Sequence, residues 1–330
     1  MVQPYLILIS NFRSDEIFAE AAANAAGLKF IHCRSLALGV AAIASSENIG
    51  AIFVDAKTEV EFIAFQDALL KNDRIPLSKV RPHLLHYISD LPLEDFSFLS
   101  RSPFFGSLLK REYPGDSQEM GQFYGRTLVS IHRKGPTALK NFLNASANIQ
   151  SVTLTNSLQQ KGIAAEVLKV GALLGSSPRM SARAALAAEE TLMNAIFDAP
   201  VDAKGQRIHQ KLSRTTKFEL ADKSRVEFEI GFDRLRMGMR ITDHYGSLPR
   251  STLLKHISRG TTSDTAILDA ANAGAGLGLA AAYQTSASLF FRCQAGVRTD
   301  VLLFFPKAAS VRGLKAEFRF FASDFHHSES

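Results

Sequence analysis

The chain has 330 residues, with 38 Lys and Arg against 32 Asp and Glu, two cysteines and no tryptophan. A hydrophobic share of 46% against 21% charged excludes a mainly disordered chain, and the length suffices for two domains with their own cores. The net charge of +6 is uneven: residues 1–115 carry 11 basic and 13 acidic side chains, residues 116–330 carry 27 and 19, and a basic half suits a polyanion such as a nucleotide, a nucleic acid or an anionic membrane.

Cys33 and Cys293 belong to no motif. They exclude a disulfide scaffold and a cysteine-built zinc site, and they fit a reducing compartment. The longest apolar runs, 5–9 and 301–305, fall far short of the roughly 20 residues that span a bilayer. No basic N-terminal region precedes a long apolar stretch, so no signal peptide, no membrane and a cytoplasmic location are expected.

Residues 4–10 (PYLILIS) read as a buried strand and 14–26 as an Ala-rich helix. Strand 29–33, helix 35–45, strand 50–54 ending at Asp55, helix 59–70 and strands 83–88 and 104–109 follow. Alternation of this kind predicts an α/β domain over 1–115: a doubly wound parallel sheet with helices on both faces. Residues 116–132 read as a helix that Gly135-Pro136 breaks, and 137–143 as a second, short one. The stretch 116–146 is therefore expected to be a helical linker.

The region 147–330 begins with strand 150–155, helix 157–174 and helix 181–199. A polar, basic stretch 201–215 leads into strands 217–220, 225–231 and 234–242. In the last, Leu235, Met237, Met239 and Ile241 alternate with Arg234, Arg236 and Arg240, which predicts one buried face and arginines in solvent. Helix 277–285 and strands 288–293, 299–305 and 315–321 complete a two-layer α/β sandwich, with a mixed sheet and helices on one face.

Three short pieces of this region carry chemistry. Glu190 and Asn194 stand four apart on one helix face, off the apolar stripe of Ala185, Ala188, Leu192 and Ile196. An amide oxygen is a hard ligand for Mg²⁺, and a carboxylate can orient or deprotonate a hydroxyl. Asp243 ends an alternating strand, where a carboxylate can accept from an amine. Gly274, Gly276 and Gly278 let backbone approach a phosphate ahead of a helix N-terminus. Taken singly, the plainer readings are a solvated helix face, a turn and a glycine hinge, and for the helix piece the plainer reading prevails.

In this order the pieces resemble the N box and the two glycine boxes of the GHKL (Bergerat-fold) ATPase family, over residues 147–321. The branch with anti-sigma-factor serine kinases and histidine-kinase ATPase domains looks most similar. The resemblance implies ATP and Mg²⁺ as cofactors. Glu190 would be the general base, Asn194 the metal ligand and Asp243 the acceptor for the adenine amine. Gly246, Gly274, Gly276 and Gly278 would lie near the phosphates, and Thr299 near adenine. A lid over 248–275 would bring Arg250, Lys255 and Arg259 to the phosphates. The family's Asp-x-Gly-x-Gly is altered, since Tyr245 and Ser247 stand at its glycines and Gly246 is shifted by one.

The element order of 1–115 resembles a response-regulator receiver. Asp55 would be the phosphoacceptor, with Ser89 and Lys110 as its hydroxyl and lysine. Receivers end strand one on an acidic pair that holds Mg²⁺, whereas this chain has Ser10-Asn11. A degenerate receiver used for docking or dimerisation is the plainer reading. The resulting expectation is a bacterial signalling protein, a homodimer that binds ATP or ADP and phosphorylates a partner on Ser or Thr. The alternatives are a catalytically dead adaptor, and last a nucleic-acid binder, whose basic residues would have to interleave with aromatics.

Overall fold

The computed structural model describes residues 3–76, 79–90, 102, 104–113, 116–132, 137–209, 211–259, 282, 286, 288–307 and 317–326. It is α/β and divides into two compact units, Met1–Pro136 with Glu317–Asp324, and Thr137–Ala316 with Phe325–Ser330. Among the described residues no helix is long and apolar enough to cross a membrane.

The first unit contains β1 (Tyr5–Ile9), α1 (Arg13–Ala26), β2 (Lys29–Cys33), α2 (Leu36–Ser45), β3 (Ile49–Asp55), α3 (Glu59–Leu70), β4 (Leu85–Ser89), β5 (Ser107–Lys110) and α4 (Ser117–His132). The strands run parallel in the order β2-β1-β3-β4-β5, a common doubly wound arrangement. Thr58 and Glu61 form a reciprocal capping box that starts α3. Phe53 and His86 face Tyr124 of α4, and Phe53 also meets Phe18 of α1. Tyr87, on the other face, packs on Phe62 and Phe65 of α3. Both faces are thus covered, which explains strands that are apolar almost throughout.

Two expectations change here. Helix α4 is not a linker. It lies against α1, where Gly121 and Gly125 let the backbones approach, since a Cβ at either would run into the carbonyl oxygen of Phe18 or Ala22. The last strand, β11 (Phe320–His326), starts five residues later than the pattern at 315–321 implies, and its first residues pair antiparallel with β5. Phe318 and Phe320 of this segment pack against Tyr124, so these aromatics complete the first unit's core.

The second unit contains β6 (Asn148–Leu154), α5 (Gln160–Leu174), α6 (Pro178–Met193), β7 (Val226–Phe232), β8 (Arg236–Asp243), α7 (Arg250–Arg259), β9 (Ser288–Gln294) and β10 (Arg298–Pro306). Its strand order is β9-β10-β8-β7-β6, and every described pairing is antiparallel rather than mixed. Helices α5 and α6 pack together and on β8. The short helix expected at 137–143 is a single 3-10 turn, Leu139–Asn141. Leu139 meets Gly238, and Phe142 packs on Phe290 and Phe304, so this segment covers the second face of the sheet.

That cover corrects the solvent-facing arginines of β8. Arg236 and Arg240 are buried, and only Arg234, ahead of the strand, is exposed. Arg240 is held by Glu227 at 3.0 Å, Glu229 at 2.9 Å and Asp300 at 3.3 Å. A buried guanidinium needs such partners, and its five donors can serve three carboxylates at once.

Candidate functional site

Helix α6 starts at Pro178, with the Ser177 hydroxyl capping the Met180 N–H. Its apolar stripe, Ala185, Ala188 and Leu192, is buried as the pattern implied. The helix then widens into one π turn, Asn194–Asp198, closed by Ala199 N–H to the Asn194 carbonyl at 2.9 Å. Such turns recur at functional sites. Asn194 and Asp198, one wide turn apart, both line a cavity of about 150 Å³. That is about ten times the space a single water needs.

The sheet supplies Ile241 and Asp243 from β8 and Thr299 and Val301 from β10, in direct register with each other. Asp243 is almost fully buried. Its Oδ1 accepts the N–H of Tyr245 at 2.9 Å and of Gly246 at 3.2 Å, and Thr299 also donates to it. Burial pushes its carboxyl up to about 6, against the pull of those hydrogen bonds. A carboxylate has about four acceptor directions. Among the described residues three are taken, which leaves one for a donor in the cavity.

Gly246 does not line the cavity. It sits at φ 57°, and a Cβ there would run into the carbonyl oxygen of Gln294, so it holds the turn after Asp243. Tyr245 is also off the cavity wall. Its hydroxyl pairs with Ser224 at 2.6 Å, and Lys223 lies 4.9 Å from its ring centre. Ser247 does line the cavity, and its hydroxyl donates to the Ala199 carbonyl at 2.7 Å. The two residues standing at glycine positions thus anchor the turn from both sides.

Glu190 is not on the wall either. Its carboxylate lies 3.8 Å from the Arg214 guanidinium, and burial raises its pKa against the attraction of Arg214. Gly274, Gly276 and Gly278 lie outside the described residues, as do positions 260–275 of the expected lid. Arg250 and Lys255 are placed on α7.

Two charged wall residues were not anticipated: Asp198, and Arg207 from the polar stretch after α6. Val201 bridges Arg207, and the Asp202 carboxylate accepts the N–H groups of Lys204 and Gln206. The Asp-x-x-Gly run 202–205 between Val201 and Arg207 is the turn signal that marks this hairpin.

In the first unit Asp55 ends β3 as expected, but Lys110 does not reach it. Lys110 pairs with Glu112 at 2.7 Å. Arg111 takes that role: Nη2 donates to Asp55 at 2.5 Å, Nε to Asp15 at 2.9 Å and Nη1 to Asp90 at 2.6 Å. Asp15 is fully buried and also accepts from the Ser10 hydroxyl at 2.7 Å. Burial raises the Asp55 carboxyl, with Arg111 opposing. For Arg111 burial works against the charge, but Asp15 and Asp55 outweigh it and keep the guanidinium cationic.

No family model matches the chain, and no curated protein or solved structure matches it.

Proposed function

We propose that the second unit is a nucleotide-binding module of the GHKL type, taking ATP with Mg²⁺, in a protein that acts in signalling. The observation that carries this is Asp243: a buried carboxylate on the cavity wall with Thr299 beside it and, among the described residues, one acceptor direction left for an amine. The donor set also fits the metal. Mg²⁺ takes oxygen ligands, commonly one or two from protein with phosphates and waters, and Asn194 and Asp198 offer amide and carboxylate oxygens on one wall.

Bound ATP with its metal would supply an activated phosphoryl group. Asp243 and Thr299 would orient the base, and Asn194 would hold the metal. Glu190, one turn before Asn194, would serve as base toward a partner hydroxyl once its carboxylate leaves Arg214. Calorimetric titration of ATP and ADP with Mg²⁺ tests the pocket. Binding that Asp243→Asn loses supports it, and no binding by the unaltered protein rejects it. Radiolabel transfer to a partner, abolished by Glu190→Ala, tests the kinase step.

The first unit favours a second reading for its own part, an adaptor independent of phosphorylation. Its Asp55 carboxylate already holds a guanidinium, and Arg111 fills the position where a receiver-like site would need a metal. Acetyl phosphate leaving Asp55 unmodified by mass spectrometry supports this reading, and a phosphorylated Asp55 ends it.

A further inference from the structure

The segment between α6 and β7 has no counterpart in the three motifs, yet it supplies cations next to the acidic face of α6. Arg207 lines the cavity with its Nη1 3.2 Å from Asp198 Oδ1. Arg214 lies between two carboxylates, 3.8 Å from Glu190 and 4.0 Å from Asp198. Both arginines keep about a third or more of their side chains exposed, 34% and 41%, while the carboxylates are 16% and 17% exposed.

These are loose pairs. The Arg214 contacts lie beyond hydrogen-bond length, and ion pairs that reach solvent contribute little. A phosphate oxygen pair offers a guanidinium something better, since it accepts both prongs of the fork in parallel, charge-assisted bonds. The carboxylates left behind would gain from the exchange as well. Asp198 lies on the same wall as Asn194, and Glu190 one turn before it.

We propose that Arg207 and Arg214 are the polyphosphate-recognition residues of this cavity, leaving Asp198 and Glu190 for phosphate oxygens when a nucleoside polyphosphate binds. The inference rests on the nucleotide reading and deepens it. It makes affinity depend on the phosphates, not only on the base, and it ties release of the Glu190 carboxylate to arrival of the ligand. A nucleoside without phosphates would then bind and leave Glu190 paired.

The test is calorimetric titration of the whole chain, unaltered and as Arg207→Ala, Arg214→Ala and Arg207→Lys, with two probes: ATP with Mg²⁺, and adenosine. Each alanine variant is expected to weaken ATP by about tenfold and leave adenosine unchanged. Arg207→Lys keeps the charge but not the fork, so it is expected to recover part of the loss. Equal weakening of both probes would mean that the arginines only shape the cavity, and overturns the proposal. Undiminished ATP affinity in both alanine variants overturns it too. If the unaltered protein takes up neither probe, the nucleotide reading fails and this inference with it. Uptake of adenosine but not ATP leaves base recognition standing and overturns the phosphate role alone.

Discussion

Arg111 in the first unit and Arg207 in the second both stand among aspartates, but they are held very differently. Arg111 is 5% exposed and donates to Asp15, Asp55 and Asp90 at 2.5–2.9 Å. Arg207 is 34% exposed and reaches one carboxylate at 3.2 Å on the wall of an open cavity. Burial and a hydrogen bond from each of its three nitrogens make the first arginine a structural strut. Exposure and, among the described residues, a single loose side-chain partner leave the second able to change partners. A cluster of aspartates with an arginine is therefore not one kind of site, and the solvent reaching the cation decides which kind it is.

Removing the strut should have the largest effect. Arg111→Ala leaves Asp15 buried without its cation, and loss of one partner from a buried pair costs about 3–5 kcal/mol. A urea titration should show that loss. A change under about 1 kcal/mol would place Arg111 on the exposed side of the comparison.

Gly246→Ala comes next. At φ 57°, with a Cβ driven into the Gln294 carbonyl, the turn after Asp243 must shift. The strain alone costs about 1–3 kcal/mol, and the N–H of Gly246 moves off Asp243. Lower thermal stability together with weaker ATP binding is the expected result. Normal affinity in a folded Gly246→Ala protein would detach this turn from the cavity.

Acidification probes Asp243 itself. Its carboxyl stands at about 6 in the fold against 3.8 ordinarily. A raised value means that the fold favours the protonated form. The stability this adds is fully present below about 4 and is lost as pH rises through about 6. A donor in the cavity needs the deprotonated form, so affinity runs the other way. ATP binding should weaken by about tenfold between pH 8 and pH 5. Asp243→Asn should flatten that profile, and a flat profile in the unaltered protein would take Asp243 out of ligand contact.

Much of this was legible in the amino-acid pattern. The strands of the first unit are short apolar runs between turn residues, and their order follows from alternation with helices. Asn194, Asp243 and Thr299 were singled out together by the resemblance of their motif order, not by spacing alone, and the fold sets all three on one cavity wall. What escaped notice depends on contacts across long separations. Arg240 reads as a solvent-facing residue until residues 137–147 cover its face, and Asp300, 60 positions away, accepts from it. Arg111 lies 96 positions from Asp15, so no local pattern marks the pair. The late start of β11 has the same origin, because its register is set by β5 rather than by its own apolar run.

Tyr245 gives the smallest effect and the finest distinction. Its position, where the resembling family has glycine, is the strongest sequence argument against a working nucleotide pocket, because a ring there could occupy the space of a base. In the fold the ring is buried away from the cavity wall, and its hydroxyl meets Ser224 at 2.6 Å. Tyr245→Phe removes that one hydrogen bond, for a loss of about 1 kcal/mol in a denaturant titration. ATP affinity should stay within about twofold, since the ring lies off the cavity wall and is unchanged in shape. The partners of the ring, Lys223 and Ser224, come from the end of the same long connection that supplies Arg207. The connection thus accommodates the bulky residue at one end and adds a cation to the cavity at the other. A marked change in affinity with stability intact would put the hydroxyl in the ligand's reach and undo that division of roles.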